Sequence, residues 1–219
     1  IRGWNVTSAS AYDGAQLRNV LNRGNTGSTV WADTAYRSKK NEEWLEKNGY
    51  DVSYTTDIDT HLNAARLLGY KGFFSAGHDE YWTKEMYDNV VAARNAGVNL
   101  AFWGANALYW QVRLESSSRG VANRVVVGYK NAALDPTTDP ARETILWRDL
   151  SRPEQTLIGV QYTSDNAALV TQPLVTQNTA HWVYAGSGLG NGAKIPRLIG
   201  YEVDRLFAEY AKPISTSYT

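Results

Sequence analysis

Helix-like and strand-like stretches alternate through residues 38–104, and this order constrains the fold more than any other feature of the sequence. The helical patterns are SKKNEEWLEKNG, HLNAARLLG and TKEMYDNVVAARNAG, and the strand patterns are YDVSYTTD, KGFFSAG and VNLAFWG. Strands that alternate with helices pair in parallel, because a right-handed crossover returns each strand to the same sheet. We therefore predict an α/β fold with a mainly parallel sheet.

The stretch TKEMYDNVVAARNAG carries the clearest helix signals in the chain. Thr83 can cap its N-terminus, Glu85 places a negative charge in its first turn, and Gly97 can end it. Met86 and Val90 are spaced to share one face of this helix. The pattern predicts an amphipathic helix between two buried strands.

The sequence changes character after residue 111. Short strand-like segments separated by turn residues follow: RVVVGYK, TILWRDL, TLIGVQYT, HWVYAGSG and LIGYEVD. A helical pattern returns in VDRLFAEYAK, so this half is predicted to be irregular or antiparallel and rich in β-structure. We predict a single α/β domain over 1–219, with an atypical segment over 1–45, a parallel βαβ core over 46–111 and a β-rich extension over 112–219.

The charge and the cysteine content exclude several classes of function. The formal net charge is +0 and there is no cysteine, so nothing favours a polyanionic partner and thiolate metal sites are excluded. The sequence has no apolar run of about 20 residues, the length that spans a bilayer. We expect a soluble protein without nucleic-acid or membrane partners. The sequence indicates neither a compartment nor an oligomeric state.

Polar side chains follow two predicted strands at their carboxyl ends, where ligands bind in open parallel sheets. His78, Asp79 and Glu80 follow KGFFSAG, and Asn106 follows VNLAFWG. Neighbouring strands would bring these groups together as a metal site or a general acid–base pair. We predict His78, Glu80 and Asn106 as catalytic residues. The aromatic residues beside them are predicted to bind the substrate: Tyr81, Trp82, Tyr109 and Trp110.

Structural explanations of the same residue types stay open. A His–Asp pair after a strand can cap the next helix, and Asn106 can be a turn residue. Asp57 and Asp59 are more typical of a loop and a helix cap than of a cation site. GSGLGNG has no following Lys-Ser/Thr, and there is no G-x-S-x-G nucleophile elbow.

Five motifs in order resemble one protein family. They are NGYDVSYTTDIDT, SAGHDEYW, AARNAGVNLAFWGANALYWQVRLE, HWVYAGSGL and GYEVDRL. From about Trp44 to about Phe207, the chain resembles the C-terminal region of the N,N-dimethylformamidase large (beta) subunit. The resemblance implies a three-layer α/β sandwich similar to class I glutamine amidotransferase domains, which is a flavodoxin-like arrangement.

The resemblance also implies a chemistry. The characterised member of the family hydrolyses a small N-substituted formamide with one iron ion, held by two tyrosines and a glutamate. Glu80 lies at the position of that glutamate, and His78 would carry protons beside the metal. Carboxylate and phenolate oxygens suit a Lewis-acidic ferric ion, which would polarise the amide carbonyl. The resemblance therefore implies Fe³⁺ as the cofactor and a small amide as the substrate.

The N-terminal segment departs from the pattern of the family. Its tyrosine-bearing motif is not found, so Tyr36 and Tyr12 are candidate ligands only as upstream tyrosines, and Tyr36 is the one that we predict. Residues 5–45 locally resemble an insertion-sequence transposase segment, with Asp33 at a catalytic aspartate. Two alternatives stay open. One is an iron-dependent amidohydrolase-like domain, complete or degenerate, and the other is a non-catalytic module without a cofactor, of chimeric or designed origin.

Overall fold

The computed structural model describes residues 38–75, 77–165 and 171–211. Most of the atypical segment predicted over residues 1–45 therefore lies outside this part of the chain. The chain divides into two compact units. Among the described residues, the first unit contains 38–54, 164–165 and 171–203, and the second contains 55–75, 77–163 and 204–211. The domain boundaries that we derived from the sequence stay a prediction.

Short helices and short strands make up both units. The helices in the described residues are α1 (Lys39–Lys47), α2 (Asp57–Leu62), α3 (Ala64–Leu68), α4 (Lys84–Asn95) and α5 (Gln155–Ile158). The strands are β1 (Gly72–Ser75), β2 (Tyr81–Thr83), β3 (Asn99–Phe102), β4 (Trp110–Glu115), β5 (Val125–Val127), β6 (Gln161–Asp165), β7 (Gln172–Val175), β8 (Lys194–Ile199) and β9 (Glu202–Arg205). The boundary between the units falls within β6 and within β9. None of the described helices has the length and apolarity needed to cross a bilayer.

Two small sheets organise the second unit. β1 and β3 pair in parallel, with Gly72 opposite Asn99 and Ser75 opposite Phe102. A separate three-stranded sheet has the order β2-β4-β5, in which β2 and β4 are parallel and β4 and β5 are antiparallel. These pairings place the segments after β1 and β3 side by side.

Helix α4 forms as its sequence signals predict. The Thr83 hydroxyl accepts a hydrogen bond from the backbone N–H of Met86 at 3.1 Å, which satisfies a donor in the first turn. Gly97 follows the helix with a φ of 96°, a backbone conformation that favours glycine. The predicted helix and its cap are confirmed.

The core of the second unit lies around the buried face of α4. Its fully or nearly fully buried members include Leu67, Phe73, Trp82, Met86, Tyr87, Val90, Ala93, Val98, Leu108, Trp147 and Leu157. Burial of each large apolar side chain contributes about 1.5–3 kcal/mol, so this cluster holds the short elements together.

The first unit has its own smaller cluster and a two-stranded antiparallel sheet. Leu45 of α1 is buried with Tyr50, and the ring of Trp44 stacks on Tyr50 at a centroid distance of 6.1 Å. β7 and β8 pair in antiparallel fashion, with Val175 opposite Lys194. The Thr176 hydroxyl closes the connection by donating to the Gly190 carbonyl at 2.7 Å.

The predicted three-layer α/β sandwich with a mainly parallel sheet is wrong, and so is its flavodoxin-like, glutamine-amidotransferase-like arrangement. The described sheets contain only two or three strands, and much of the described part of the chain is irregular. The first expected strand, YDVSYTTD, does not form. The Thr56 hydroxyl accepts from Asp59 N at 3.1 Å, and the Asp59 carboxylate accepts from Thr56 N at 3.1 Å. This capping box starts α2 where the strand was expected to end.

The predicted strand HWVYAGSG is also wrong, because Trp182–Tyr184 form a 3₁₀ turn. Two further predicted elements after residue 111 are wrong. TILWRDL forms a 3₁₀ turn over Trp147–Leu150. Trp147 is fully buried in this turn, and its ring stacks on that of Tyr87 with a centroid distance of 4.6 Å. VDRLFAEYAK begins as strand β9, and its backbone is then held by Gln155. The Gln155 side chain accepts from Phe207 N at 2.6 Å and donates to Phe207 O at 2.9 Å. Tertiary contacts therefore override the local pattern at both places.

Candidate active site

The segments that follow β1 and β3 pass directly against each other. Trp103 N donates to the carbonyl of Ser75 at 2.9 Å, just beyond the paired strands. A Cβ atom built on Gly104 would lie 2.0 Å from the carbonyl oxygen of Gly77, so a side chain has no room there. The two strand ends therefore meet, and the polar residues after β1 lie beside those after β3.

Replacing Gly104 tests this close approach. Gly104→Ala is expected to lower the free energy of unfolding by about 1–3 kcal/mol, because the new Cβ forces two backbone segments apart. Urea denaturation measures the loss. Gly128→Ala is the matched control, since its Cβ would meet Val112 Cγ1 at an ordinary 3.5 Å. Equal stability of the two variants would contradict the geometry.

Asp79 ties the segment after β1 to the core. Its carboxylate accepts from the indole N–H of Trp82 at 2.7 Å and also from the hydroxyl of Ser75. Its backbone carbonyl accepts from Leu108 N at 2.8 Å. These bonds fix Asp79 as a positioning group between β1, β2 and the segment after β3, and they orient its neighbours His78 and Glu80.

His78 and Glu80 form a pair at the edge of this junction. The Nε2 of His78 lies 2.9 Å from the Oε2 of Glu80. The His78 side chain is 54% exposed, whereas that of Glu80 is 12% exposed. A mostly buried carboxylate therefore faces an imidazole that reaches solvent. Such a pair can exchange a proton with water, or present carboxylate oxygens to a cation.

Asn106 and Tyr109 lie in the segment whose backbone hydrogen-bonds to Glu80. The Glu80 carbonyl accepts from the backbone N–H groups of Tyr109 at 2.9 Å and of Trp110 at 3.0 Å. Asn106 is buried in a left-handed conformation with a φ of 58°, and its backbone N–H donates to Asp204 Oδ1 at 2.8 Å. The structure thus brings His78, Glu80 and the 106–110 segment together, as the sequence predicts.

The four aromatic residues predicted to bind a substrate lie in different surroundings. Trp82 is fully buried in the core, whereas Tyr81 is exposed and pairs in register with Trp110. The ring of Tyr109 packs edge-on against Trp110 at 5.3 Å and against Tyr162 at 5.0 Å. Tyr81 is therefore exposed and Tyr109 and Trp110 are half-buried, whereas Trp82 positions Asp79 from the core.

A buried ion pair supports the ring of Tyr109. Arg148 Nη2 donates to Glu154 Oε1 at 2.7 Å, and the guanidinium carbon lies 5.2 Å from the Tyr109 ring centroid. Burial raises the pKa of Glu154, although the hydrogen bonds from Arg148 act in the opposite direction. Burial lowers the pKa of Arg148, but the Glu154 carboxylate more than offsets this effect, so that this pKa is raised. Arg148 therefore keeps a positive charge beside the aromatic ring.

The sequence reasoning missed several residues that build the junction. The sequence patterns predict Ser75 and Gly104 only as parts of strands, and they place Arg148 in a strand. The pair Gly77 and Gly104, each placed just after a buried strand, was a usable signal for a close backbone approach. Arg148 gave no comparable signal, because its partner Glu154 is recognised only in three dimensions.

Of the two predicted metal ligands, the structure describes Glu80 but not Tyr36. Within 38–75, 77–165 and 171–211, no three or more His, Asp or Glu side chains gather in a group that could hold a metal ion. Tyr36 lies outside these residues, as do Tyr12 and Asp33. Glu80 is the predicted ligand whose surroundings the structure describes.

Comparison with known families relates these features to other proteins. Residues 5–218 match the family described as N,N-dimethylformamidase beta subunit-like, C-terminal. The chain belongs to this family. No curated protein matches the chain. Membership of the N,N-dimethylformamidase beta subunit-like family confirms the resemblance drawn from the five sequence motifs.

The family match also covers the N-terminal segment. It begins at residue 5 and so includes the stretch that we compared with a transposase. The transposase resemblance is not shown by any comparison. The N,N-dimethylformamidase-like assignment therefore extends over nearly the whole chain, including the region that contains Tyr36.

Proposed function

We propose that this chain is a metal-dependent amidohydrolase-like domain that acts on a small amide, with Glu80 and His78 at its centre. The observation that carries the proposal is the Glu80–His78 pair, 2.9 Å apart at a strand end, in a chain of the N,N-dimethylformamidase beta subunit-like family. The reaction adds water across the C–N bond of the amide and releases a carboxylic acid and an amine.

The surroundings of Glu80 fit a hard cation such as Fe³⁺. Its carboxylate is mostly shielded from solvent, and only Oε2 is engaged by His78. Carboxylate and phenolate oxygens are hard ligands that suit such an ion, and Glu80 would supply the carboxylate oxygen. Tyr36 stays the phenolate ligand that the sequence predicts. A bound ferric ion would polarise the amide carbonyl and acidify a water molecule.

His78 is suited to proton transfer in this reaction. Its ring reaches solvent, while the hydrogen bond to Glu80 holds its orientation. An amide nitrogen is a poor leaving group until it is protonated, and an imidazole that exchanges protons with water can supply that proton. His78 would therefore act as the general acid, and it would regain its proton from solvent.

The neighbouring residues would bind the substrate. Tyr81, Tyr109 and Trp110 offer ring faces and edges to a small apolar amide, and Asn106 supplies a carboxamide at the same strand end. Arg148 and Glu154 hold the Tyr109 ring in place. A small amide fits this arrangement because it needs a few polar contacts in an otherwise apolar setting.

Hydrolysis of N,N-dimethylformamide by iron-supplied protein tests this proposal, with dimethylamine release as the readout. Glu80→Gln is expected to reduce the rate at least about 100-fold, and His78→Gln by a smaller factor. Glu46→Gln, which changes an exposed glutamate of α1, is the matched control. An unchanged rate in Glu80→Gln would refute the proposed role. No release by the folded original chain would favour a non-catalytic module.

A further inference from the structure

A pocket of about 400 Å³ lies on the sheet β2-β4-β5, within the second unit. Tyr81 and Thr83 of β2, Val112 and Leu114 of β4, and Val126 of β5 all line it. Side chains alternate across a strand, so these residues share one face of the sheet. The intervening Trp82 points to the opposite face, into the core.

The floor of the pocket is apolar and its rim carries charge. Met86, Val112, Leu114 and Val126 form an apolar surface that suits an aromatic or branched aliphatic body. Arg124 lies on the rim, and no carboxylate in the described part of the chain lies within ion-pair distance of its guanidinium. An anionic group on a ligand would therefore find an available counter-ion there.

The hydroxyl of Tyr81, which lines the pocket, is a second hydrogen-bond donor, and its contact with Lys130 favours this role. The ammonium of Lys130 donates to the hydroxyl oxygen of Tyr81 at 2.9 Å and lies 4.9 Å from the centroid of the Tyr81 ring. An ammonium group has donors only, so the Tyr81 oxygen must accept this bond. The phenolic hydrogen stays available to donate to another acceptor, and polarisation by the ammonium strengthens that bond.

Lys130 has a left-handed backbone conformation, which is unfavourable for a residue other than glycine. Its φ is 57°, in the left-handed region that costs a non-glycine residue about 1 kcal/mol or more. Lys130 N donates to Thr144 O at 2.8 Å, and Tyr129 N donates to the Thr144 hydroxyl at 2.8 Å. Because Thr144 is fully buried, these bonds anchor the backbone at Lys130.

We propose that this pocket binds a small carboxylate with an aromatic or branched apolar body. The apolar body would lie on the floor, and the carboxylate would accept hydrogen bonds from Arg124 and from the Tyr81 hydroxyl. Asp57 also lies on the rim and would repel such a ligand. The proposal therefore makes opposite predictions for Arg124 and Asp57. Tyr81 is also one of the residues proposed to bind the amide, so the two sites share this side chain. Binding in the pocket requires neither Glu80 nor amide hydrolysis.

Titration with benzoate, followed by ligand-observed NMR, tests the proposal. We expect saturable binding at millimolar benzoate, with benzyl alcohol and benzylammonium binding more weakly. Arg124→Gln is expected to weaken benzoate binding about tenfold, the loss of one charge-assisted hydrogen bond. Arg119→Gln, an equal charge change at another exposed position, should leave it unaltered. Asp57→Asn should tighten binding. Tyr81→Phe should weaken it.

Two further variants separate the pocket from the rest of the surface. Val126 is 66% exposed, so Val126→Trp fills the pocket without disturbing the core and should abolish benzoate binding. Val125 lies next to it on the opposite face of β5, so Val125→Trp should bind normally. Glu80→Gln should also bind normally. The proposal is overturned if benzoate does not saturate, if Arg124→Gln matches Arg119→Gln, or if Glu80→Gln loses binding.

Discussion

Trp82→Ala is expected to lower the free energy of unfolding by about 3–5 kcal/mol, the usual range for removing a buried tryptophan. Trp82 is fully buried, and its ring packs on Phe73 and Phe102 with centroid distances of 6.4 and 6.0 Å. The substitution also removes the indole donor from Asp79, which leaves part of that carboxylate without its hydrogen bond. Urea denaturation followed by circular dichroism measures the loss.

Trp103→Ala is the matched control for this prediction. Trp103 follows β3 in the same unit, but it is 64% exposed, so its removal should cost less than about 1 kcal/mol. Similar losses for the two variants would show that Trp82 does not occupy the core. Trp82→Phe separates the loss of buried volume from the loss of the hydrogen bond to Asp79, because it keeps most of the apolar volume and removes only the N–H donor.

Asp135→Asn is expected to destabilise the second unit by about 3 kcal/mol at neutral pH, because it breaks a buried ion pair and leaves Arg113 with only its exposed partner Glu115. Arg113 Nη1 donates to Asp135 Oδ2 at 2.7 Å, and the Asp135 side chain is fully buried. The same oxygen accepts from the Thr144 backbone N–H at 2.8 Å. Glu115→Gln is the matched control, since Glu115 is an exposed partner of the same arginine at 3.3 Å.

The contribution of Asp135 to the free energy of unfolding should also depend on pH in a definite direction. The Arg113 guanidinium, together with the Thr144 and Thr137 donors, holds the pKa of Asp135 far below its ordinary value of 3.8. A carboxylate with a lowered folded pKa stabilises the protein above its unfolded pKa, and this contribution is lost as the pH falls towards the folded pKa. The difference between the original chain and Asp135→Asn should be full above about pH 5 and shrink below about pH 4. A difference that grows in acid would contradict this assignment.

Local signals predicted those parts of the fold in which one segment determines its own structure. Helix α4 carries a capping threonine, an apolar face and a terminating glycine, and it forms within the predicted bounds. The strand cores of KGFFSAG and VNLAFWG form and pair in parallel. In each case the sequence contains both the element and its stop signal.

The architecture was not predictable from those signals because it depends on which segments pair. YDVSYTTD, residues 50–57, has a strand pattern, but no strand forms over it, and the capping box of Thr56 and Asp59 starts α2 at its last residue, Asp57. Without that strand, β1 and β3 form only a two-stranded sheet. Period-two alternation alone does not determine which segments pair, and the predicted mainly parallel sheet is not built.

The candidate site could be predicted as a location more readily than as a set of roles. Two strand ends with polar residues do meet, and Glu80 lies beside His78. In the sequence, Asp79 and Trp82 look like part of the same group of site residues. In the structure, the Trp82 indole N–H donates to the Asp79 carboxylate on the core side of the junction. Lys130, which contacts Tyr81, lies 49 residues away in the chain, so no sequence pattern indicated it.

Iron content is the measurement that tests the central claim most directly. The protein would be purified after growth with added iron, and metal per chain and the visible absorption spectrum would be compared with those of Glu80→Gln. The proposed site predicts near-stoichiometric iron with a phenolate charge-transfer band in the original chain, both lost in Glu80→Gln while the fold persists. Equal iron in the two proteins, or no iron in a folded original chain, would contradict Glu80 as the ligand of a ferric centre.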